Sequence, residues 1–509
     1  MKHMRKTLLG ILGIVMCIGM ACTCRPVSTP VEKDSTLWEA SSGTWRTSTP
    51  EEQGIDSALI LEMLRRIQEQ GLDIHSVLLI RNDHLVTEVY FPPYQEDFKH
   101  PVYSVSKSIT SALVGIAIEE GYIESVDQKV LDFFPDIAQD AKSEWLKDLT
   151  LEHLLTMSAG YQTRTIPYPW VLSQKDASFD TISHILTYNS ILQEPGTGFF
   201  YDSGAPHVLS AVIQKTTGMT LQEYAQQKLF DPLGITDITW ETDPRGVTLG
   251  CTGLVLSPRD MAKIGYLYLN RGRLNEAEND GYGYLWWIDA FGGYSAHGSG
   301  GQYIFVVPES NMVAVFTSGL ADPDFPMPKK LLESFILPAA TSAKPLPPSQ
   351  AAQDLQAYIE QVENPEPQPV PPLSETAKRI SGQTFEITAS PTPYFRTISL
   401  TFDGGNVYRS ESKWPDGNVN IALGGLDNRF YVNESVAIGG RVITIALKGY
   451  WQDEKTFVES VKNLSELDAA THQYTFEGDT LTVDVKPSAG SSFQMSGERI
   501  SRTAEPSDK

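Results

Sequence analysis

Residues Pro101 to Ile118 read PVYSVSKSITSALVGIAI and carry small or apolar side chains apart from a single charge, Lys107. This spacing predicts a helix that begins near Ser104. Ser104 and Lys107 are three residues apart, so a helix places their side chains on one face, one turn apart. Apolar surroundings and a helix N-terminus both disfavour an ammonium group, so Lys107 is suited to accept the proton of the Ser104 hydroxyl.

The pattern Ser-x-x-Lys is a weak signal on its own, because it arises by chance in a chain of 509 residues. It occurs again at Ser410 and Lys413, among charged and turn-forming neighbours, and we interpret that copy as incidental. For the first copy, the alternative is a solvated lysine near the start of a helix. The apolar run around Lys107 favours the catalytic interpretation.

Two β-hairpins lie on either side of this helix in the sequence. The first joins Val77–Ile80 to Leu85–Tyr90, and the second joins Tyr303–Val307 to Met312–Thr317. The chain between them has helical period at 105–120, 128–133, 150–157, 204–217, 219–229 and 258–270. This order predicts an α+β fold, in which strands from both ends form one sheet and the helices between them flank it.

Residues His100–Ser111, HPVYSVSKSITS, resemble the nucleophile segment of the serine β-lactamase and penicillin-binding-protein superfamily. The resemblance is to the branch of class C β-lactamase-like esterases, D-aminopeptidases and nylon-oligomer hydrolases. Three further segments resemble that family in the same order: Trp45–Gly54, Leu149–Gly160 and Gly253–Gly265. The resemblance covers residues 45–337 and implies an antiparallel sheet flanked by helices, with a helical subdomain and a serine nucleophile at Ser104.

A second family motif is Tyr-x-Asn, whose tyrosine serves as partner base or proton relay. Tyr201 matches that tyrosine, whereas Ser203 stands at the asparagine position. The resemblance therefore implies that Lys107 and Tyr201 together move the proton of Ser104. The alternative for Tyr201 is a half-buried aromatic residue whose hydroxyl caps a loop.

A third family motif is Lys-Thr-Gly, or a His-Gly-Gly-like variant, on the strand beside the nucleophile. Here the chain reads His297-Gly298-Ser299-Gly300-Gly301-Gln302, which resembles the Gly-Gly-Gln segment of nylon-oligomer hydrolases. The register leaves open whether His297 faces the site or bonds nearby backbone at a strand end. We expect the substrate and oxyanion region to include Ser203, His297, Gly298, Gly300 and Gln302, with backbone N–H donors from Ser104 and from 298–303.

The second half of the chain differs in character. Residues 338–372 carry nine prolines, which predicts an extended linker that keeps its two neighbours apart. Residues 373–509 contain short β-rich runs separated by Gly, Asn and Asp, which predicts an all-β barrel or sandwich.

Composition excludes several functional classes. Hydrophobic residues make up 41% of the chain and charged residues 20%, as in soluble globular proteins. The net charge of −23 repels phosphate backbones, so nucleic acid is not an expected partner. The nine histidines are scattered, and the chain has neither His-Glu-x-x-His nor Cys-x-x-Cys, so we expect no metal and no cofactor.

The first residues predict export. Lys2, Arg5 and Lys6 precede an apolar run from Leu8 to Ala21, as in a secretory leader. Ala21-Cys22 resembles a degenerate lipobox, so residues 1–24 are a lipoprotein leader lipidated at Cys22, a simple signal peptide or a retained N-terminal anchor. Residues 25–44 are a polar tether. The protein is then either secreted or periplasmic, or attached to a membrane through a lipidated Cys22.

Taken together, the sequence predicts an exported serine hydrolase that cleaves ester or amide bonds of small, including peptide-like, acyl substrates. The alternative is a β-lactamase, or a penicillin-binding or sensor protein that is acylated and turns over slowly.

Overall fold

The structure is a computed structural model, and it describes residues 45–500 except 138–142, 167–175, 188–190, 272–281, 393, 439–440 and 489. Predictions for the leader, the tether and Cys22 lie outside these residues. None of the helices in the described ranges combines the length and apolar composition needed to cross a membrane.

The described helices, in chain order, are Ser57–Glu69, Val105–Glu119, Val130–Phe133, Leu151–Leu155, Thr181–Thr187, Gly204–Thr217, Leu221–Ala225, Pro258–Arg271, Met327–Leu331, Leu337–Ala339, Gln350–Glu363 and Glu375–Ile380. The described strands up to residue 318 are β1 Ile74–Arg81, β2 His84–Tyr90, β3 His100–Pro101, β4 Thr239–Trp240, β5 Leu254–Leu256, β6 Tyr282–Gly283, β7 Trp286–Asp289, β8 Gly293–Gly298, β9 Gln302–Val307 and β10 Met312–Ser318. The later strands are β11 Thr384–Ala389, β12 Thr397–Phe402, β13 Val407–Lys413, β14 Val419–Gly425, β15 Tyr431–Ile438, β16 Arg441–Trp451, β17 Thr456–Asn463, β18 Asp468–Glu477, β19 Thr480–Pro487 and β20 Phe493–Arg499.

A seven-stranded antiparallel sheet is the centre of the N-terminal domain, with strand order β2-β1-β10-β9-β8-β7-β6. Both predicted hairpins are present, and β1 pairs with β10, for example Val77 with Phe316. The sheet therefore joins strands from the two ends of this part of the chain. The predicted α+β fold class is confirmed.

Alternation along β1 places a hydrophobic core on each face of the sheet. Leu78 and Ile80 belong to one core, together with the helix Val105–Glu119 and the helical subdomain. Val77 and Leu79 belong to the other core, together with the helix Ser57–Glu69. The candidate nucleophile helix thus lies between the sheet and the helical subdomain.

The extended linker predicted for 338–372 is wrong. Ser349 accepts a hydrogen bond from the Ala352 amide and caps a helix, Gln350–Glu363. Leu355, Ile359 and Val362 recur at helical spacing and are buried in the core that contains Ser57–Glu69. The prolines of this segment lie on both sides of 350–363 and none lies within it, so they flank the helix instead of preventing it.

The C-terminal domain is a β-barrel. Its ten strands follow the order β14-β13-β12-β11-β20-β19-β18-β17-β16-β15, and β14 also pairs with β16, which closes the sheet. Aromatic side chains fill one end of its interior, among them Phe402, Phe457 and Phe476.

The two domains are not kept apart. Tyr94 and the partly buried Tyr103 pack against Ala446, Leu464 and Leu467 of the barrel. The Tyr103 hydroxyl also donates a hydrogen bond to the Glu466 carbonyl, at 2.9 Å. The barrel therefore lies directly beside the residue that precedes Ser104.

Candidate active site

The nucleophile helix begins where the sequence predicts. Ser104 occupies its N-cap position, and Val105 is the first helical residue. Tyr103, immediately before, has a φ of 48°, in the left-handed region that non-glycine residues rarely adopt. This sharp turn separates β3 from the helix and places Ser104 on the wall of a cavity.

Lys107 is 2% exposed, and its Nζ lies 2.8 Å from Ser104 Oγ. The same nitrogen donates a hydrogen bond to the Cys251 carbonyl, at 2.9 Å. It also lies 5.1 Å from the centre of the Tyr201 ring. The amine is therefore held between the serine hydroxyl, a backbone carbonyl from a distant segment and an aromatic face.

The loop that carries Tyr201 is held by its neighbour, Asp202. The buried Asp202 carboxylate accepts hydrogen bonds from the Thr165 amide and hydroxyl, at 2.8 and 2.6 Å. It also accepts bonds from the Gly204 and Ala205 amides at the start of the helix Gly204–Thr217. A carboxylate at a helix N-terminus is favourable for both hydrogen bonding and charge. Asp202 therefore fixes the loop on which Tyr201 enters the site.

Tyr201 is half-buried, and its ring stacks on Trp287 at a centroid distance of 5.6 Å. Trp287 lies on β7, between β8 and the edge strand β6. The tyrosine is thus held by an aromatic contact on one side and by the Lys107 amine on the other.

A cavity of about 590 Å³ brings most of the predicted catalytic residues together. Its wall includes Ser104, Lys107, Tyr201, Ser203 and Gly300. The nucleophile, both proton-transfer candidates and two of the five predicted substrate-region residues therefore share one space.

His297 is not among the described residues that line this cavity. It pairs across the sheet with Tyr303, whose side chain belongs to the core on the face away from the nucleophile helix. There it stacks on Trp287 and contacts Ser295 Oγ through Nε2, at 2.6 Å. Burial, assisted by Lys329, lowers the pKa of His297 to about 3. His297 therefore lies outside the described lining of the cavity and contacts Ser295 and Trp287, and its place in the substrate region stays a prediction.

Gln302 and Gly298 lie behind the cavity wall and shape it. The buried Gln302 amide donates to the Ser318 carbonyl and accepts from the Ser318 amide, which joins β9 to the end of β10. A Cβ on Gly298 would lie 2.3 Å from the Val102 carbonyl oxygen, so only glycine permits this approach to the chain before Ser104. Both residues position the segment 299–300, which does line the cavity.

The second Ser-x-x-Lys pair lies on strand β13. Ser410 is buried inside the barrel, whereas Lys413 is exposed. Residues three apart on a strand point to opposite faces, so these two side chains do not meet. This geometry agrees with interpreting that copy as incidental.

Several residues of the cavity wall have no signal in the local sequence. Arg164 brings a positive charge, and Asp322 brings a negative one. The barrel adds Glu466 and Leu467 from the turn between β17 and β18, and Asp468 from the start of β18. These groups reach the site only through tertiary contacts, so no motif predicts them.

Comparison with known proteins agrees with this geometry. The Beta-lactamase family model matches residues 63–333, more than half of the chain. The chain is 25% identical over 306 residues to the 6-aminohexanoate-dimer hydrolase of Paenarthrobacter ureafaciens, covering 52% of this chain and 76% of that protein. It is 26% identical over 232 residues to the lovastatin esterase of Penicillium rubens, covering 42% of this chain and 55% of that esterase.

The chain is also similar to solved structures. The octameric penicillin-binding protein homologue from Pyrococcus abyssi matches with a TM-score of 0.45 and 17% identity, covering 86% of this chain and 99% of that one. EstCE1, a hydrolase with promiscuous acyltransferase activity, matches with a TM-score of 0.47 and 16% identity, covering 56% of this chain and 99% of that one.

Proposed function

The chain belongs to the beta-lactamase family of serine hydrolases, and from this premise we propose that it cleaves ester or amide bonds of small acyl substrates through an acyl-enzyme on Ser104. The observation that carries the proposal is the 2.8 Å contact between Lys107 Nζ and Ser104 Oγ inside a cavity. A buried amine at this distance can accept a proton from the hydroxyl it touches.

The first half of the reaction uses Ser104, Lys107 and Tyr201. Neutral Lys107 directs one N–H at the Cys251 carbonyl, and its lone pair takes the Ser104 proton as Oγ attacks the acyl carbon. The tetrahedral intermediate collapses when the bond to the leaving alcohol or amine breaks. The proton then passes from Lys107, with Tyr201 as relay, to that leaving group.

The second half of the reaction regenerates the enzyme. A water molecule gives a proton to the neutral amine of Lys107 and attacks the ester carbon of the acyl-enzyme. The product acid leaves, and the proton returns to Ser104 Oγ. Ser104 therefore acts as the nucleophile, and Lys107 acts as base and acid in turn.

The negative charge on the acyl oxygen requires hydrogen-bond donors. We assign these to the backbone N–H of Ser104 and to one N–H of 299–300, the part of the glycine-rich segment that lines the cavity. Each such donor typically stabilises the transition state by about 3–4 kcal/mol.

Linear esters and amides fit this site better than β-lactams. Ser203 replaces the amide side chain of the family motif, and His297, at the position of the motif lysine, is not among the described residues that line the cavity. A fixed cation remains available in Arg164, but it comes from a different loop. A β-lactam carboxylate would therefore not be held by the usual strand residue.

The test compares turnover with labelling. The full chain should hydrolyse p-nitrophenyl acetate over many cycles, and a fluorophosphonate should attach to one serine, Ser104, as located by peptide mass. Labelling at Ser410 or Ser299 with Ser104 unmodified would reject the assignment.

The alternative function, a sensor or penicillin-binding protein, gives a different result in the same assay. Such a protein forms one equivalent of stable acyl-enzyme with nitrocefin and releases no further product. A true β-lactamase turns over nitrocefin with a higher kcat/KM than any ester tested.

Export is a separate part of the proposal and rests on the leader sequence alone. Cys22→Ser should release the protein from membranes with unchanged ester hydrolysis. A soluble wild-type protein whose N-terminus lies beyond Cys24 would leave only simple secretion.

A further inference from the structure

The barrel contains a second cavity of about 630 Å³, a volume typical of sites for drug-sized ligands. Barrels of this general kind can hold one small ligand in their interior. The cavity occupies the half of the barrel that the aromatic side chains Phe402, Phe457 and Phe476 leave open.

This second cavity adjoins the catalytic one. Glu466, Asp468 and Ser488 line both of them. Glu466 belongs to the β17–β18 turn and Asp468 begins β18, and the turn also contacts Tyr103 beside the candidate nucleophile. The open end of the barrel therefore meets the cleft that contains Ser104.

The pairing of β17 with β18 gives the order of residues from this mouth inward. Asn463 pairs with Asp468 at the mouth, Val461 pairs with Ala470 below it, and Glu459 pairs with His472 deeper still. Each of these pairs lines the cavity. A group that enters past the polar side chains at the mouth therefore passes apolar side chains before it reaches a second polar layer.

Much of the cavity wall is apolar. One side is aliphatic and is formed by a buried cluster of Ala422, Val436, Ile443, Ile445 and Leu447. The other side is aromatic and includes Tyr394, Phe395, Trp414 and Phe493.

The polar layer is occupied by its own contacts. Glu459 accepts hydrogen bonds from the hydroxyls of Tyr408 and Tyr474 and lies 2.9 Å from His472 Nδ1. The other ring nitrogen of His472 lies 3.0 Å from the Tyr394 hydroxyl. Three of the roughly four acceptor positions of the Glu459 carboxylate are thus already used within the protein, and its charge repels a ligand anion. The chemistry of the cavity therefore suits an uncharged group.

We propose that the barrel interior is a binding compartment for an uncharged apolar group of the substrate, an alkyl or aromatic part that extends from the scissile bond at Ser104 through the barrel mouth. The assignment of this group to a substrate rests on the proposed hydrolase function. A binding measurement that does not depend on catalysis tests separately whether the barrel interior binds such a group.

The binding test uses the neutral fluorophore N-phenyl-1-naphthylamine with the full chain. Ile443 is 8% exposed and faces the cavity, whereas its neighbour Val442 is 71% exposed on the outer face of β16. Ile443→Trp should weaken probe binding by about tenfold or more, because the indole projects into the compartment and narrows it, and Val442→Trp should leave probe binding unchanged. Equal probe affinity in Ile443→Trp and Val442→Trp would show that the barrel interior is not the binding site.

A second pair of variants tests the same cavity in case Ile443→Trp does not fold. Ala422 faces the cavity and Ile421, its neighbour on β14, is exposed. Ala422→Phe should repeat the loss of probe binding, and Ile421→Phe should not, with far-ultraviolet circular dichroism reporting the fold of each. If Ala422→Phe folds and still binds the probe, the barrel interior is not the binding site.

The substrate test compares p-nitrophenyl acetate with two larger esters, p-nitrophenyl decanoate and 2-naphthyl acetate. In Ile443→Trp, kcat/KM for at least one larger ester should fall by about tenfold relative to p-nitrophenyl acetate, whose kcat/KM stays constant. If Ile443→Trp loses probe binding but the kcat/KM of each larger ester relative to p-nitrophenyl acetate stays unchanged, the compartment does not bind part of the substrate. A wild-type chain that does not hydrolyse p-nitrophenyl acetate overturns the proposed function. In that case, probe binding still shows whether the barrel interior binds an uncharged apolar group.

Discussion

Lys462 on barrel strand β17 places its Nζ 2.5 Å from Asp73 Oδ1, just before strand β1 of the hydrolase domain. The same nitrogen lies 5.4 Å from the centre of the Tyr94 ring, which stacks on His75 at 3.6 Å. Burial opposes ionisation of Asp73, but His75 and Lys462 outweigh it and hold the pKa of Asp73 well below its usual range. One ion pair, with Asp73, and one cation–π contact, with Tyr94, therefore join Lys462 of the barrel to the hydrolase domain.

Loss of this ion pair should weaken the contact between the domains. Lys462→Met leaves Asp73 mostly buried without its cation, so the free energy of unfolding should fall by about 1–2 kcal/mol in urea. The control is Lys455→Met, since Lys455 is exposed and 3.8 Å from Glu477. An equal effect from both variants would contradict the role assigned to Lys462.

Acid should destabilise the fold through His75. Burial lowers the pKa of His75 from 6.5 to about 4, and the groups around it are Asp73, Lys462, His100 and Tyr94. Between these pH values the unfolded chain binds a proton that folded His75 does not, so stability falls as pH decreases from 6.5 to about 4. One such group contributes up to about 1.4 kcal/mol per pH unit.

The measurement is urea unfolding at several pH values. His75→Gln removes this group, so its free energy of unfolding should depend less steeply on pH across that window than that of the wild type. Parallel curves for the two proteins would show that His75 is not the source of the acid sensitivity.

The proton-transfer residues should be distinguishable from Ser104 by substitution. Ser104→Ala removes the nucleophile, and Lys107→Arg replaces the base with a guanidinium that does not release its proton. Each variant should lower kcat/KM for p-nitrophenyl acetate by about 10³-fold or more. Ser410→Ala is the matched control, and substantial activity in Lys107→Arg would remove Lys107 from the mechanism.

Tyr201 should contribute through its hydroxyl more than through its ring. Tyr201→Phe keeps the stack on Trp287 but removes the relay, so kcat should fall by about 10²–10⁴-fold with a smaller change in KM. Tyr282→Phe is the control, because Tyr282 also packs against Tyr201 and Trp287 without lining the cavity. Similar losses in both variants would indicate a packing role only.

The helix Gln350–Glu363 should stabilise the hydrolase domain. Leu355 is 3% exposed, and Leu355→Ala should cost about 2–5 kcal/mol in the free energy of unfolding. Gln356, exposed on the same helix, supplies the control Gln356→Ala with little change. If Leu355→Ala were equally silent, residues 350–363 would behave as the linker that their flanking prolines suggest.

Local spacing in the sequence determined the candidate nucleophile, its base and the two hairpins. A helix fixes the distance between residues three apart, and a two-residue turn fixes the pairing of adjacent strands, so Ser104, Lys107 and strands β1 and β2 follow from short segments. Tyr201 followed from its order within a family resemblance. The helix at 350–363 also had a local signal, its apolar spacing, which the flanking prolines obscured.

Tertiary structure alone decided the rest. Whether His297 faced the cavity depended on its pairing with Tyr303 across the sheet, and a shift of one residue would have turned it to the other face. The Cys251 carbonyl, Arg164 and the barrel turn at Glu466 reach the site from segments far apart in the chain. Their meeting depends on how whole domains bury apolar surface against each other, and no short stretch of sequence encodes that arrangement.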